Sequence, residues 1–189
     1  MYKFIVLEGI DGSGKSTMCE LIKERYKNIH ITREPTDREV GKIAKKIAHE
    51  NSNPYLDLFL YLADRAQHIE MIKSELNSKN NVICDRYWGS TAAYQAAYSE
   101  IEMDYIEEIQ QSFILKPDAT FLFDLDPKTS LERLAKRNKK SKYEKLDFLK
   151  KVRKNYLTLA NKYDWNIIDA EKGLEAVKNN FLKELEKII

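Results

Sequence analysis

Gly9-Ile10-Asp11-Gly12-Ser13-Gly14-Lys15-Ser16-Thr17 completes the pattern G-x-x-x-x-G-K-[ST], and each residue type in it answers one demand of holding a polyphosphate. The glycines let backbone N–H groups close on phosphate oxygens, and the Lys15 ammonium supplies charge to the outer phosphates. Ser16 offers a hydroxyl to a divalent cation at the head of a helix whose positive end faces the anion. The flanks have the required form. Lys3-Phe-Ile-Val-Leu-Glu8 is a short, apolar, β-rich run, and Met18–Arg25 has helical spacing, which gives strand, loop, helix. A chance match arises in under about one chain in a hundred of this length. Three of the 6 glycines in the chain, Gly9, Gly12 and Gly14, fall in this one loop, which disposes of coincidence.

Outward from the loop, strand-like apolar runs recur at 3–8, 29–32, 81–85, 119–125 and 165–169. Helical patterns lie between them at about 15–27, 37–49, 54–78, 89–115, 127–138, 143–163 and 171–188. Val82-Ile-Cys84 and Ala119–Leu125 are apolar on both faces, as buried parallel strands are. Strands alternating with long helices predict right-handed β-α-β units and a three-layer α/β/α P-loop fold around a five-stranded parallel sheet. The length, 189 residues, suits one domain spanning 1–189. The run Lys136-Arg-Asn-Lys-Lys-Ser-Lys142 is the one loop-like, strongly basic stretch, read either as a solvated loop or as a lid at about 136–143 that closes on phosphates.

Ligands of open α/β sheets sit beyond the carboxyl ends of the strands, so the residues that follow each strand matter most. Strand one delivers the phosphate loop, strand two Thr32-Arg33-Glu34-Pro35-Thr36-Asp37-Arg38, and strand three Asp85-Arg86-Tyr87. Asp85 stands where P-loop enzymes keep a carboxylate for a metal ion or its water shell, although an Asp at a strand–helix junction also serves as a helix cap. Lysine outnumbers arginine 24 to 8, so each arginine marks a departure from the basic bias. Arg33, Arg38, Arg65, Arg86, Arg133, Arg137 and Arg153 fall in or beside segments expected to face phosphates or bases, which a planar guanidinium can grip or stack on.

Composition removes several classes of function. A net charge of +2 gives no global field to recruit nucleic acid or an anionic membrane. No apolar run approaches the ~20 residues of a membrane span, and no signal peptide precedes the first strand, so a cytoplasmic location is expected. Cys19 and Cys84 lie in apolar segments and read as reduced core residues. His30, His49 and His68 are scattered, and no Ser-His-Asp or Cys-His set offers another chemistry.

With these residues in hand, the chain resembles the thymidylate kinase family over essentially its whole length. The resemblance is carried by Glu8–Thr17, Thr32-Arg-Glu-Pro35, Phe59-Leu-Tyr-Leu-Ala-Asp-Arg-Ala-Gln-His68, Asp85-Arg-Tyr-Trp-Gly-Ser90, Ala93-Tyr-Gln95 and Lys116-Pro-Asp118. Tyr143-Glu144 and Val152-Arg-Lys-Asn-Tyr-Leu157 complete it. The resemblance implies phosphorylation of dTMP to dTDP with ATP and Mg²⁺, and a homodimer, for which the apolar helices at 54–78 and 89–115 would serve.

It also implies roles position by position. Residues 9–17 would hold the ATP phosphates, with Arg137 against adenine, and Ser16 and Asp85 would hold Mg²⁺. Asp11 would face the 3′-hydroxyl of dTMP, and Arg86 would grip its phosphate, with Arg33 and Glu34 from the strand-two loop alongside. Tyr61 stands where the family stacks an aromatic ring, usually Phe, on thymine; by its helix pattern alone it reads equally as core packing. Arg65, one turn on, matches the arginine that donates to a thymine carbonyl. Tyr94 would crowd C2′, and Gln95 would bond the base. The loop carries Gly12 where some relatives have arginine, so the cations for transfer, Lys142 among them, are expected from the lid beside Lys15. A phosphate acceptor is already anionic and needs no general base. The rival readings are a deoxynucleoside kinase using Glu8 or Glu34 as base, a kinase for another monophosphate, and a slow nucleotide-hydrolysing switch, in which the Tyr61–Arg65 pair would have no purpose.

Overall fold

A computed structural model describes residues 2–47, 53–136 and 144–189, and its side chains apart from those of residues 144 and 145. The element order is β1 (Phe4–Glu8), α1 (Lys15–Arg25), β2 (Ile29–Arg33), α2 (Glu39–Ile47), α3 (Pro54–Asn77), β3 (Asn81–Asp85), α4 (Trp88–Tyr98), α5 (Met103–Gln111), β4 (Ala119–Asp124), α6 (Pro127–Ala135), α7 (Glu144–Lys162), β5 (Asn166–Asp169) and α8 (Leu174–Leu185). The strands pair in the order β2-β3-β1-β4-β5, every pair parallel, between layers of helices. The three-layer α/β/α architecture read from the sequence is the one observed.

Position in the sheet explains the composition of each strand. β1, at the centre, is buried at all five positions, and β3 and β4 beside it carry runs of fully buried residues. The edge strands β2 and β5 are only half-buried. Phe4, Leu7, Ile83, Phe121 and Phe123 form the middle of the core. Short-range chemistry starts the helices. Asn53 accepts the Tyr55 N–H at 2.9 Å and Asp126 the Lys128 N–H at 2.8 Å, each followed by a proline whose missing N–H costs nothing at a first helical position.

One expected element is two. The pattern at 89–115 breaks between α4 and α5, because Ser99 turns extended and its Oγ donates to the Gln95 carbonyl (2.7 Å) and accepts the Ile101 N–H (3.2 Å). That local bonding competes with continued helix. The last helix starts at Leu174 rather than 171, because Glu171 is drawn away to accept from the Asp126 N–H and the Thr129 hydroxyl.

The chain order puts the ligand edge in one place. After β1 the chain crosses toward β2, whereas after β4 it crosses toward β5, so the connections diverge above β1 and β4 and leave a crevice at their carboxyl ends. Gly9 enters this crevice at φ 142°, and a Cβ there would lie 2.6 Å from the Phe123 carbonyl oxygen, so only glycine lets the loop leave β1 so close to β4.

Candidate active site

Two cavities open at this edge. The first, ≈ 600 Å³, is lined by Asp11–Met18 on one side and by Arg133, Lys136, Ala170 and Val177 on the other. Helix α6 holds the loop in shape. The Ser130 hydroxyl donates to the Asp11 carbonyl at 2.6 Å, and Arg133 donates to the carbonyls of Gly12 (3.1 Å) and Ala170 (3.0 Å). Nothing in the sequence marked Ser130, which only the packing of α6 on the loop brings into play. No acidic residue occupies the first turn of α1, so its N–H groups and dipole are free to favour an anion.

Lys15 is buried, and its ammonium donates to the carbonyls of Gly9 (2.9 Å) and Ile10 (3.1 Å). Burial, reinforced by the nearby Arg86 charge, lowers its pKa to about 8 against the pull of Asp85, Asp11 and Glu8. The Ser16 hydroxyl donates to Asp85 Oδ2 at 3.1 Å, and Asp85 Oδ1 is buried with no hydrogen-bond partner among the described residues. That oxygen pair is the donor set a hard divalent cation takes, with waters and phosphate oxygens completing its shell.

The second cavity, ≈ 490 Å³, is lined by Glu34, Asp57, Tyr61, Ser90, Thr91, Tyr94, Gln95, Tyr98 and Phe148. Asp11 and Arg86 line both cavities and form the wall between them. Arg86 Nη2 donates to Asp11 Oδ1 at 2.7 Å, and its guanidinium lies 5.2 Å from the Tyr94 ring centroid. The Arg86 backbone is left-handed, at φ 71°. It is held there by its N–H on the Leu7 carbonyl (2.9 Å) and by the Cys84 thiol donating to its carbonyl (3.0 Å). Burial pushes the Cys84 thiol well up, so it stays a donor. Tyr61 is half-buried, and burial together with the Asp57 carboxylate one turn earlier raises its hydroxyl pKa. Gln95 Nε2 is buried without a partner among the described residues and is available to a polar ligand atom.

Several expected residues stand elsewhere. Arg65 shares a helix face with Tyr61 but does not line the cavity; it lies one layer below, 1 % exposed. There Nη2 donates to Glu34 Oε2 (2.5 Å) and Thr91 Oγ1 (2.9 Å), Nη1 donates to Gln110, and the guanidinium lies 5.1 Å from the Tyr87 centroid. Its Nε is buried with no partner among the described residues. Arg33 and Arg38 are exposed beside a third cavity along the β2 edge. Arg153 faces neither of the first two cavities and grips Asp124 at 2.7 and 2.9 Å. Arg137, Lys142 and the rest of the 136–143 segment, Lys136 apart, lie outside the described residues.

The two carboxylates weighed as general bases are both occupied. Glu34 also meets His68 Nδ1 at 2.9 Å, while His68 Nε2 meets the Thr32 hydroxyl at 2.8 Å. Glu8, fully buried, accepts the N–H groups of Tyr87 and Ser90 (3.0 Å each), the Ser90 hydroxyl (2.6 Å) and the Tyr156 hydroxyl (3.2 Å). It thereby caps α4, a role the sequence reading missed because a Glu ending a strand looks like any other. Burial raises its pKa, while its donors and the Arg86 charge act in the opposite sense.

A P-loop, a hydroxyl–carboxylate pair for a cation, and a second cavity sharing one arginine with the first define a phosphotransferase with distinct donor and acceptor sites. A family model described as thymidylate kinase matches residues 7–181. Among curated relatives, the probable thymidylate kinase of Methanocaldococcus jannaschii is 41% identical over 98% of this chain and 96% of its own length. Those of Archaeoglobus fulgidus (40%, covering 98% and 95%) and Methanococcoides burtonii (37%, covering 99% and 98%) are similar throughout. The chain belongs to the thymidylate kinase family.

Two outcomes follow from the geometry. Arg65→Ala leaves the Glu34 carboxylate buried without its cation and should lower stability by about 3–5 kcal/mol, read from the urea midpoint. The second concerns Lys15, which loses its charge above about pH 8 in the free protein, whereas a bound triphosphate needs the ammonium. ATP affinity should therefore fall as pH rises from 8 toward 10, and binding in that window should take up protons, which calorimetry in buffers of different ionisation enthalpy measures. The linked effect on stability has the opposite sign: the unfolded chain holds this proton to higher pH, so the group's contribution to stability grows with pH across the same interval.

Proposed function

We propose that this chain transfers the γ-phosphoryl group of ATP, bound as its Mg²⁺ complex in the first cavity, to the phosphate of dTMP in the second, forming dTDP. The observation that carries the reading is the shared wall: Asp11 and Arg86 border both cavities, so one guanidinium reaches the point where donor and acceptor phosphates meet. Ser16 and Asp85 are the residues that would hold Mg²⁺, which neutralises charge on the donor phosphates. Lys15 and Arg86 supply the remaining positive charge, fixed before the reaction starts, and an anionic acceptor oxygen in line with the γ-phosphorus needs no proton removed.

In the acceptor cavity Tyr61 offers a stacking face, worth about 1–3 kcal/mol per base, and Gln95 an amide for the base edge. Tyr94, against the Arg86 guanidinium in the same cavity, is suited to crowding the sugar. Glu34 supports the site from below by holding Arg65, whose Nε is buried without a partner among the described residues. Arg33, the last residue of β2, is exposed outside the acceptor cavity. The deoxynucleoside kinase reading needs a carboxylate free to take a proton, and both candidates are saturated by other donors. A homodimer is the assembly this reading carries, supported by Ile43, Leu56 and Phe59, each between 45% and 48% exposed on α2 and α3. The two buried, unpaired cysteines suit a reducing cytoplasm.

An acceptor panel of dTMP, dUMP, dCMP, dGMP, AMP and thymidine with ATP tests the assignment: dTMP should give the highest kcat/KM, and turnover of thymidine in place of dTMP would overturn it. Arg86→Ala should cut kcat/KM for dTMP by about 10²–10³ in a steady-state assay.

A further inference from the structure

We infer that Glu8 is a positioning residue for the acceptor site, setting the Arg86 guanidinium through the hydroxyls of Ser90 and Tyr156. Arg86 Nη1 donates to Ser90 Oγ (3.2 Å) and to the Tyr156 hydroxyl (3.3 Å), and those two oxygens lie 2.8 Å apart. Each can accept from Arg86 only if its own proton points away from the guanidinium. The Ser90 proton goes to Glu8 Oε2 at 2.6 Å, and the Tyr156 proton goes to Ser90 Oγ at 2.8 Å or to the same carboxylate oxygen at 3.2 Å, in either case away from the guanidinium. A carboxylate is acceptor-only when ionised, so it fixes the direction of the Ser90 hydroxyl and leaves Ser90 Oγ an acceptor for Tyr156 and Arg86 alike. The other oxygen, Oε1, is occupied by the N–H groups of Tyr87 and Ser90, which lock the carboxylate against α4.

Three elements meet at this point: β1 supplies Glu8, the start of α4 supplies Ser90, and α7 supplies Tyr156. Gly89 makes the approach possible, since a Cβ there would lie 3.0 Å from Glu8 Oε1 and 2.5 Å from the Trp165 ring. Arg86 thus has one guanidinium nitrogen on Asp11 at the cavity wall and the other on a buried pair of hydroxyls with fixed polarity. Glu8 touches neither cavity. Its main route to the reaction is Arg86, since its pull on Lys15 is smaller than those of Asp85 and Asp11, and this inference rests on Arg86 gripping the acceptor phosphate as proposed above.

Glu8→Gln separates positioning from capping. Its amide oxygen can still accept the Tyr87 and Ser90 N–H groups, but its NH₂ faces Ser90 as a donor, which forces the Ser90 proton toward Tyr156 and leaves one hydroxyl proton on the Arg86 side. The acceptor KM should rise about tenfold, the lower end of what removing a hydrogen-bond partner one step from a bound centre costs, while ATP affinity stays within about twofold. Tyr156→Phe, which removes one of the two hydroxyls and little volume, should raise the acceptor KM about threefold in the same pattern. Both are measured on purified, folded protein with the best acceptor of the panel. Wild-type turnover of dTMP therefore reports on the proposed function, and the variant-to-wild-type ratio reports on this inference. Unchanged acceptor kinetics in folded Glu8→Gln, or a loss falling equally on ATP affinity, overturns it. If Glu8→Gln does not fold, Tyr156→Phe decides by the same two readings.

Discussion

The pairing of Arg86 with Asp11 is the contact on which the rest of the site depends, because it fixes where the two cavities meet. Its position follows from sheet register. Leu7 lies opposite Asp85 in the β1–β3 pair, and the next N–H of β3, that of Arg86, donates to the Leu7 carbonyl. The residue that bends away from β3 is thereby tied to the strand that delivers the phosphate loop two residues later. The left-handed turn at Arg86 costs on the order of 1 kcal/mol, which the ladder bond, the Cys84 thiol and the ion pair together offset.

Beneath this wall the protein keeps an unusual amount of charge out of water. Glu34, Arg65 and His68 form a line from the β2 edge to the floor of the acceptor cavity, extended by Thr32 at one end and by Thr91 and Gln110 at the other. Such groups seldom add net stability over an apolar filling; their value lies in geometry, since each satisfied donor fixes its neighbour and a half-satisfied set is costly. Here the line fastens the loop after β2 to α3, α4 and α5, the elements that carry the acceptor cavity.

Much of this was legible in the sequence, for identifiable reasons. Strands apolar on both faces can sit only inside a parallel sheet, and a phosphate loop needs so particular a mix of glycine, lysine and serine that few other readings survive. Asp85 and Arg86 were found because the carboxyl end of a strand is a fixed address in this architecture. Depth was not legible. The spacing of Tyr61 and Arg65 gives a shared helix face, but a long guanidinium can reach up into a cavity or down beneath it, and only the partners from Glu34, Thr91 and Gln110 decide. The arginine bias misled in a similar way: Arg153 answers Asp124 and Asp126, a demand of the end of β4 rather than of a ligand. Glu8 was read as the end of a strand or a possible base, and its capping role was missed because its partners Ser90 and Tyr156 are 82 and 148 positions away. The break at Ser99 was missed because the hydroxyl that causes it is common in unbroken helices too.

The fourfold engagement of Arg65 carries a consequence for how this pocket can change over time. Its partners come from the loop after β2, from α4 and from α5, so no single replacement at the floor of the cavity leaves the others content. Substitutions there are bound to be epistatic, tolerated only in combinations that preserve the charge balance of the whole layer. Among the described residues the rim has no such bond: Tyr61, Tyr98 and Phe148 reach the cavity from three helices, Phe148 edge-on to Tyr94. Drift in acceptor preference is therefore channelled to the rim, while the floor is inherited as a block.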